Sequence, residues 1–237
     1  GDHRDLHSFP PRRSSDLPQY VLDLPHRAAL GGEDFWVSEC HHAVTAWLDA
    51  WPEWSAPGLV VVGPPRGGKT HLARIFAHET GAEVATAAEL GDGARLPAPG
   101  AKALIVEDID RNPDETALFH LYNRAREAGV SLLFTSRVPP AQIGLSLADW
   151  RSRLLTCAVA EIGRPDDRLM AAVLAKLFHD RQLVVGEAEV SYLLTHMERA
   201  IAVAEAVVAE ADRRALAQKR KLGVPILKET LEALSRG

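Results

Sequence analysis

Residues 63–70, with the sequence GPPRGGKT, fit the pattern G-x-x-x-x-G-K-[ST] of a phosphate-binding loop, or P-loop. Glycines in such a loop let backbone N–H groups approach phosphate oxygens without a Cβ in the way. Lys69 would place its charge on the β- and γ-phosphates of a nucleotide, and the Thr70 hydroxyl is a suitable Mg²⁺ ligand. The pattern therefore predicts a nucleotide site; the alternative is a glycine-rich turn that binds nothing. The candidate cofactor-binding residues in this stretch are Gly63, Pro64, Pro65, Arg66, Gly67, Gly68, Lys69, Thr70 and His71.

Two acidic residues, Glu107 and Asp108, follow the apolar run ALIV at 103–106. In a P-loop protein, carboxylates at the end of such a strand hold the metal and polarise water. We expect Glu107 to bind Mg²⁺ together with Thr70, and Asp108 to act as a general base. The alternative is a solvated loop after the strand.

A hydroxyl and two arginines are further candidates. Ser136 follows the apolar run at 130–135, and we expect it beside the same crevice, between the attacking water and the γ-phosphate. Arg151 and Arg153 precede the last expected strand. The planar guanidinium of arginine suits phosphate recognition across a subunit boundary. A surface pair of salt bridges fits these two arginines equally well.

The pattern around these residues alternates between buried strands and helices, which predicts a parallel α/β sheet covered on both faces. From residue 165 onward the pattern is helical only, so we expect a sandwich followed by a small helical lid. The expected strands are 59–62, 83–86, 103–106 and 130–135. The expected helices are 38–51, 69–79, 114–128, 166–182, 187–197, 198–219 and 226–234.

The composition is that of an ordinary globular chain of 237 residues with a net charge of −5. No global positive field attracts it to nucleic acid, so any contact with DNA would be local or made through a partner. The two cysteines, Cys40 and Cys157, lie far apart, which argues against a disulfide or zinc framework. No apolar stretch reaches the roughly 18 residues that a membrane span needs.

The N-terminal region divides into two parts. Residues 1–17 have no periodicity, and we interpret them as an artefactual or disordered leader. Residues 19–24 read QYVLDL, a short strip with two spaced leucines. An extended peptide of this kind could dock both leucines in an apolar groove. An edge strand or a linker is the alternative interpretation.

With these motifs in order, the chain resembles the AAA+ superfamily, and within it the branch of the replication initiator DnaA and its shorter regulatory relative Hda. The resemblance is carried by GPPRGGKTHL at 63–72, ALIVEDID at 103–110, LLFTSRVPP at 132–140 and LADWRSRL at 147–154. The stretch at 211–231 is also similar to the end of Hda-type lids. The initiator carries a C-terminal helix-turn-helix domain that is not present after the lid here, which favours the regulatory relative.

After the leader at 1–17, the resemblance implies three segments: a segment at 18–26 that binds the DNA polymerase sliding clamp, an AAA+ domain at 27–163, and a lid at 164–237. It implies ADP or ATP with Mg²⁺ as cofactors. It also implies that Arg153 is an arginine finger that promotes hydrolysis of DnaA-bound ATP, with weak ATPase activity of the chain itself at most. The clamp-binding residues would be Gln19, Tyr20, Leu22 and Leu24.

The implied partners are DnaA and the clamp, with DNA reached through the clamp, possible homo-oligomers, and a cytoplasmic, nucleoid-associated location. Two departures from the family pattern stand out. Glu107 occupies a position where aspartate is usual, and the sensor position of the lid falls on Ala202, which leaves Arg199 one turn earlier as the candidate nucleotide-binding cation.

Two other functions are open. One is a self-sufficient AAA+ ATPase such as a helicase loader, which would turn over ATP alone. The other is a structural adaptor that binds clamp and nucleotide without promoting hydrolysis. The basic run at 213–221 could touch DNA, although a solvated helix end is the simpler interpretation.

Overall fold

The computed structural model describes residues 38–90 and 100–236, and the backbone of residues 26–27 and 35–36. The leader and the segment from Gln19 to Leu24 lie outside the described residues. The strands are β1 (His26–Arg27), β2 (Phe35–Trp36), β3 (Gly58–Val62), β4 (Glu83–Thr86), β5 (Ala103–Glu107), β6 (Ser131–Ser136) and β7 (Ala158–Glu161). The helices are α1 (His42–Asp49), α2 (Lys69–Thr80), α3 (Glu115–Glu127), α4 (Ala148–Leu154), α5 (Asp167–Asp180), α6 (Glu187–His196), α7 (Ile201–Gln218) and α8 (Val224–Leu234).

Five strands form a parallel sheet in the order β4-β5-β6-β3-β7. The strand β3 is buried along its whole length, as expected for an apolar strand covered on both faces. In the register of the sheet, Val62 lies opposite Ser136 and Thr86 opposite Glu107. The carboxyl ends of β3, β5 and β6 therefore meet at one edge, where each strand runs directly into a segment that the sequence assigns to the site.

Helices cover both faces of this sheet. One face packs α3 and α4 against a cluster that includes Val60, Val106, Phe134 and Trp150. The other face packs α1 and α2 against Leu59, Val61 and Ile105 among others. Neighbouring residues of β3 thus point into different cores, because side chains alternate along a strand. The result is a three-layer sandwich.

The helix α2 begins and ends at glycines in the left-handed region. Gly68 at its start has φ 95°, and Gly81 at its end has φ 70°. Leu72, Ile75 and Phe76 recur at the spacing of one helix face and are buried. This burial fixes the rotation of α2, and with it the direction of the first-turn N–H groups at the P-loop.

A third core lies in the C-terminal helices. Residues of α5, α6, α7 and α8 enclose a separate apolar cluster that includes Leu174, Phe178, Leu193, Val207 and Leu227. The lid therefore has its own hydrophobic core. The predicted α/β sandwich with a helical lid is confirmed.

Most element boundaries agree with the sequence predictions to within a few residues, and β4 agrees at both ends. One prediction is wrong in a way that affects the site: the helix expected from residue 198 begins at Ile201. Ala200, at φ −142° and ψ 134°, is extended and ends the connection from α6. Arg199 therefore precedes the helix and does not lie one turn earlier on it. The helix α4 and the pairing of β1 with β2 were not predicted.

Trp150 anchors α4 to the sheet. Its ring is fully buried and meets the rings of Tyr122 and Phe134 edge-on, with centroids 6.1 and 5.8 Å apart. Its indole N–H has no hydrogen-bond partner within the described part of the chain. The tryptophan therefore contributes by packing alone.

We predict that Trp150→Ala lowers the free energy of unfolding by about 3–5 kcal/mol, because it removes a large buried ring. Trp150→Phe keeps an aromatic ring and removes the unpartnered N–H, so its loss should be much smaller. Urea denaturation of both variants tests this, with the exposed Leu155→Ala as a surface control. Equal losses for Trp150→Ala and Leu155→Ala would contradict the anchoring role.

Candidate functional site

The P-loop is built by close backbone contacts that leave no room for side chains. Gly63 N donates to Ser136 O at 3.1 Å, and a Cβ added at Gly63 would lie 3.0 Å from Ile162 Cβ. Gly67 N donates to Pro64 O at 3.0 Å, which closes a tight turn. The loop thus joins β3 to α2, whose first turn begins at Lys69. The first N–H groups of a helix lack intrahelical partners and attract anions.

Lys69 is held inside this loop. Its side chain is buried, and Nζ donates to Gly63 O at 2.7 Å and to Pro64 O at 2.9 Å. Burial lowers the pKa of Lys69 below its ordinary value, and the carboxylates of Asp108 and Asp110 oppose that shift. The ammonium group is therefore positioned by carbonyls of the P-loop and attracted by carboxylates of the segment after β5.

The acidic segment after β5 is fixed by β6. Asp108 has φ 58°, an uncommon value for a residue with a side chain, and its N–H donates to Thr135 Oγ1 at 3.0 Å. Ile109 N donates to Thr135 O at 3.0 Å. Asp110 is almost completely buried and accepts from Arg137 Nε at 2.6 Å. Two neighbouring strands thus position Asp108 and neutralise Asp110.

The two remaining candidates on these strands have different surroundings. Glu107 Oε1 is buried and has no hydrogen-bond partner among the described residues. A buried carboxylate oxygen without a hydrogen-bond partner is suited to bind a cation. Mg²⁺ prefers oxygen ligands and is commonly bound by only one or two protein carboxylates. The Ser136 hydroxyl, by contrast, donates to Val138 O at 2.7 Å and accepts from Val138 N at 3.2 Å. It is turned back onto its own chain.

A cavity of about 830 Å³ lies between the P-loop and the lid. Such a volume is in the range of small-ligand and cofactor sites. The P-loop side is lined by Pro65, Arg66, Gly67, Gly68, Lys69, Thr70 and His71, with His41, Asp108, Arg111 and Arg137 nearby. The lid lines it with Leu169, Val173, Lys176, Leu177, Asp180, Ile201 and Glu205. The P-loop end of the cavity is therefore rich in phosphate-binding groups, and the lid end combines apolar side chains with the charged Lys176, Asp180 and Glu205.

The polar lid residues that line the cavity do not include Arg199, which was the candidate from the sequence. Arg199 pairs with Asp167 at 2.9 Å instead of lining the cavity. The cavity is lined instead by Lys176 and by Glu205, whose carboxylate pairs with Arg66 at 2.6 Å. This pair joins the P-loop directly to α7.

His41 was not predicted to belong to the site. It is 2% exposed, lines the cavity, and hydrogen-bonds to the backbone of Gly67. Its Nδ1 accepts from Ser38 N at 3.2 Å, and the Cys40 thiol, a weak partner, lies 3.5 Å from the same nitrogen. Burial lowers the pKa of His41, while Gly67 and the carboxylate of Asp166 oppose this. The only sequence signal was the adjacent pair of histidines at 41–42, which does not point to a P-loop contact.

Arg151 and Arg153 lie on α4, away from the residues that line the cavity. Both are exposed, and neither guanidinium makes an ion pair with the part of the chain that the structure describes. The surface-salt-bridge interpretation is therefore not supported within the described residues. The exposed position instead leaves both guanidinium groups accessible to another molecule.

The structure thus brings together Lys69, Thr70 and Asp108 around one cavity. It places Arg153 outside that cavity. Arg199 lies on the connection between α6 and α7, where it pairs with Asp167 at the start of α5. In the described residues, no helix is long and apolar enough to cross a membrane. The clamp-binding candidates Gln19, Tyr20, Leu22 and Leu24 lie outside the described residues.

Comparison with known families identifies the lid. Residues 166–231 match the family described as the lid domain of Hda. This range covers α5 to α7 and most of α8, the helices that enclose the separate C-terminal core.

Comparison with solved structures identifies the fold. Domain III of the replication initiation protein DnaA from Thermotoga maritima superposes with a TM-score of 0.64 at 16% identity, covering 84% of this chain and 94% of that one. A replication initiator DnaA bound to AMPPCP and single-stranded DNA gives 0.57 at 16% identity, covering 79% and 67%. The RuvB Holliday junction branch migration motor of T. maritima gives 0.57 at 15% identity, covering 83% and 67%. At these identities the likeness establishes the fold alone.

The buried imidazole of His41 generates a pH prediction. Because burial lowers its pKa below the ordinary 6.5, the unfolded chain binds a proton at this position before the folded protein does as the pH falls. His41 therefore does not reduce the free energy of unfolding above about pH 6.5. Below that pH the free energy of unfolding declines, by at most about 1.4 kcal/mol per pH unit for one proton. The charged or titratable neighbours that act on His41 are Asp166, His42 and Cys40.

Urea denaturation between pH 7.5 and 5.5 measures this effect. In His41→Asn an amide oxygen takes the place of Nδ1 and does not titrate, so the variant should lose less stability than the parent over this range. Parallel curves for parent and variant would show that His41 does not contribute to the pH dependence.

Proposed function

We propose, from the premise that this chain is an AAA+ protein of the DnaA branch with an Hda-type lid, that it switches off DnaA. In this proposal the chain holds a nucleotide in its own cavity and completes the hydrolytic site of a neighbouring, ATP-bound DnaA molecule. It does so by inserting Arg153, and DnaA is left with ADP. The observation that carries the proposal is the exposed guanidinium of Arg153, which makes no ion pair with the described residues, on a firmly anchored helix.

The anchoring of α4 supports a role in trans. Arg153 lies in the last turn of α4, three residues after the buried Trp150 and next to the buried Leu154. The helix position is thus fixed by packing, while the guanidinium remains in solvent. An arginine that stabilises charge on another subunit's phosphate needs both properties: a rigid base and no partner within its own chain.

The rate increase that an arginine finger produces is large enough to switch a protein between an ATP-bound and an ADP-bound state. An arginine finger supplied by a partner increases the rate of phosphoryl transfer by about 10³ to 10⁵. The guanidinium spreads positive charge over a planar fork that matches phosphate oxygens, which lysine does not reproduce. A single residue is therefore enough to convert slow hydrolysis by DnaA into inactivation.

The chain's own nucleotide would have a structural role. The P-loop with Lys69 fits the phosphates of ADP or ATP, and Thr70 and Glu107 would hold Mg²⁺. When bound, the metal would neutralise phosphate charge. The lid residues Lys176 and Glu205 face the same cavity, so a bound nucleotide would contact both domains. Weak turnover at this site would suit a chain that acts on its neighbour's ATP.

The segment from Gln19 to Leu24 would tether the chain to the sliding clamp. In an extended peptide Leu22 and Leu24 share one face and would enter an apolar groove, while the Gln19 amide would set the register. Tethering raises the effective concentration of two weakly interacting proteins. Inactivation of DnaA would thereby depend on a clamp loaded on DNA.

We predict that Arg153→Ala abolishes the acceleration of ATP hydrolysis by DnaA, a loss of about a thousandfold or more. Arg153→Lys should recover little, because it restores the charge without the planar fork. Release of phosphate from DnaA–ATP, with clamp and DNA present, measures the effect. Arg236→Ala, on the exposed end of the lid, is the matched control. If Arg153→Ala stimulates hydrolysis as well as the parent protein, the finger assignment is wrong.

We also predict that Leu22→Ala and Leu24→Ala each weaken clamp binding by about tenfold or more, since each removes the burial of an aliphatic side chain. Val21→Ala should have a small effect, because its side chain points to the opposite side of an extended peptide. Calorimetric titration of the clamp with the full chain tests both statements. Equal affinity for all three variants and the parent would place the clamp contact elsewhere.

A further inference from the structure

The segment from Ser38 to His41 lies where the P-loop, the end of the sheet and the lid meet. Cys40 O accepts from Gly163 N at 2.8 Å, just after β7, and a Cβ added at Gly163 would lie 3.5 Å from Cys40 Cα. Asp166, which caps α5 by accepting from Leu169 N at 2.7 Å, acts electrostatically on His41. One short segment thus contacts the connection between sandwich and lid as well as the P-loop.

The hydrogen bonds of His41 define its tautomer. Because the Ser38 N–H donates to Nδ1, that nitrogen must be the unprotonated acceptor of a neutral ring. The ring proton then lies on Nε2, which is 3.7 Å from the Cys40 sulfur. We therefore assign the hydrogen bond between His41 and the backbone of Gly67 to Nε2. A donor N–H requires an acceptor, so the partner atom is the Gly67 carbonyl oxygen. The bond to Gly67 also favours the protonated ring, as an accepting carbonyl does.

Fixing the Gly67 carbonyl also fixes the next N–H group. A trans peptide is planar, so the Gly67 carbonyl and the Gly68 N–H point in opposite directions. Gly67 is held on its other side as well, since its N–H donates to Pro64 O at 3.0 Å. Gly68 lines the cavity and has φ 95°. Glycine adopts positive and negative φ values about equally readily. The glycines themselves do not fix the orientation of the Gly67–Gly68 peptide. The contact with His41, which lies outside the loop, therefore sets this orientation.

We infer that His41 is a positioning residue of the nucleotide site: its Nε2–H holds the Gly67 carbonyl so that the Gly68 N–H points toward bound phosphate. The inference rests on the proposed binding of a nucleotide in this cavity. His41 does not replace a P-loop group. It sets the direction of one P-loop donor and links that donor to the junction with the lid.

Two amide substitutions separate this role from a purely structural one. In His41→Gln the amide nitrogen takes the place of Nε2 and can donate to Gly67, while the acceptor for Ser38 is lost. In His41→Asn the amide oxygen takes the place of Nδ1 and can accept from Ser38, while the donor to Gly67 is lost. The Kd of fluorescent ADP and ATP analogues, with Mg²⁺, is measured for the full chain and both variants, alongside thermal unfolding without nucleotide.

We expect His41→Asn to bind nucleotide at least about fivefold more weakly than His41→Gln, a difference of about 1 kcal/mol at 1.4 kcal/mol per tenfold. We expect His41→Gln to have the lower melting temperature of the two. The inference is overturned if the two variants bind equally, or if binding follows melting temperature. If the parent protein itself binds neither nucleotide, the proposed nucleotide site fails instead, and the two failures are distinguishable.

Discussion

The parallel alignment of β3, β5 and β6 is the constraint on which the candidate site depends. Because the strands run in one direction, their carboxyl ends deliver the P-loop, Asp108 and Arg137 to a single edge of the sheet. Cross-strand hydrogen bonds then adjust each segment. Gly63 is held by the backbone of Ser136, and Asp108 by the side chain of Thr135. A shift of β6 by one residue would move both contacts at once, so the buried register of the sheet controls the geometry of the site.

Two of the arginines that line the cavity already form ion pairs within the protein. Arg137 pairs with the buried Asp110, and Arg66 pairs with Glu205 of the lid. Among the described residues, the hydrogen-bond partners of the Lys69 ammonium group are neutral carbonyls, so no carboxylate is directly bonded to it in competition with a phosphate. The pair of Arg66 and Glu205 is partly exposed, so its own contribution to stability is small, about 0–1 kcal/mol. Its importance is geometric: it joins a loop of the sandwich to a helix of the lid.

The parts of the site that the sequence predicts are those encoded by local pattern. The P-loop, the acidic residues after β5 and the helical lid each follow from spacing and periodicity. The errors have physical causes. Arg199 was placed on a helix because its neighbours are good helix formers, whereas the extended backbone at Ala200 delays the helix to Ile201. His41 and Glu205 reach the site through contacts with residues 26 and 139 positions away along the chain, and no local pattern records such contacts. The Ser136 hydroxyl was expected to face the crevice, but a local bond to Val138 turns it away.

The position of α4 links the fold to an action on another molecule. This helix leads into β7, which pairs on one side with β3 and is the last strand of the sheet in that direction. Arg151 and Arg153 at the end of α4 are exposed, whereas the cavity of the chain itself lies between the P-loop and the lid. In water an exposed guanidinium interacts weakly with distant charge, but its attraction to phosphate increases when a docked partner excludes solvent. In the proposed function, Arg153 would therefore be inactive in the free chain and effective only at an interface. The same separation would allow one chain to hold a nucleotide in its own site while acting on the nucleotide of its neighbour.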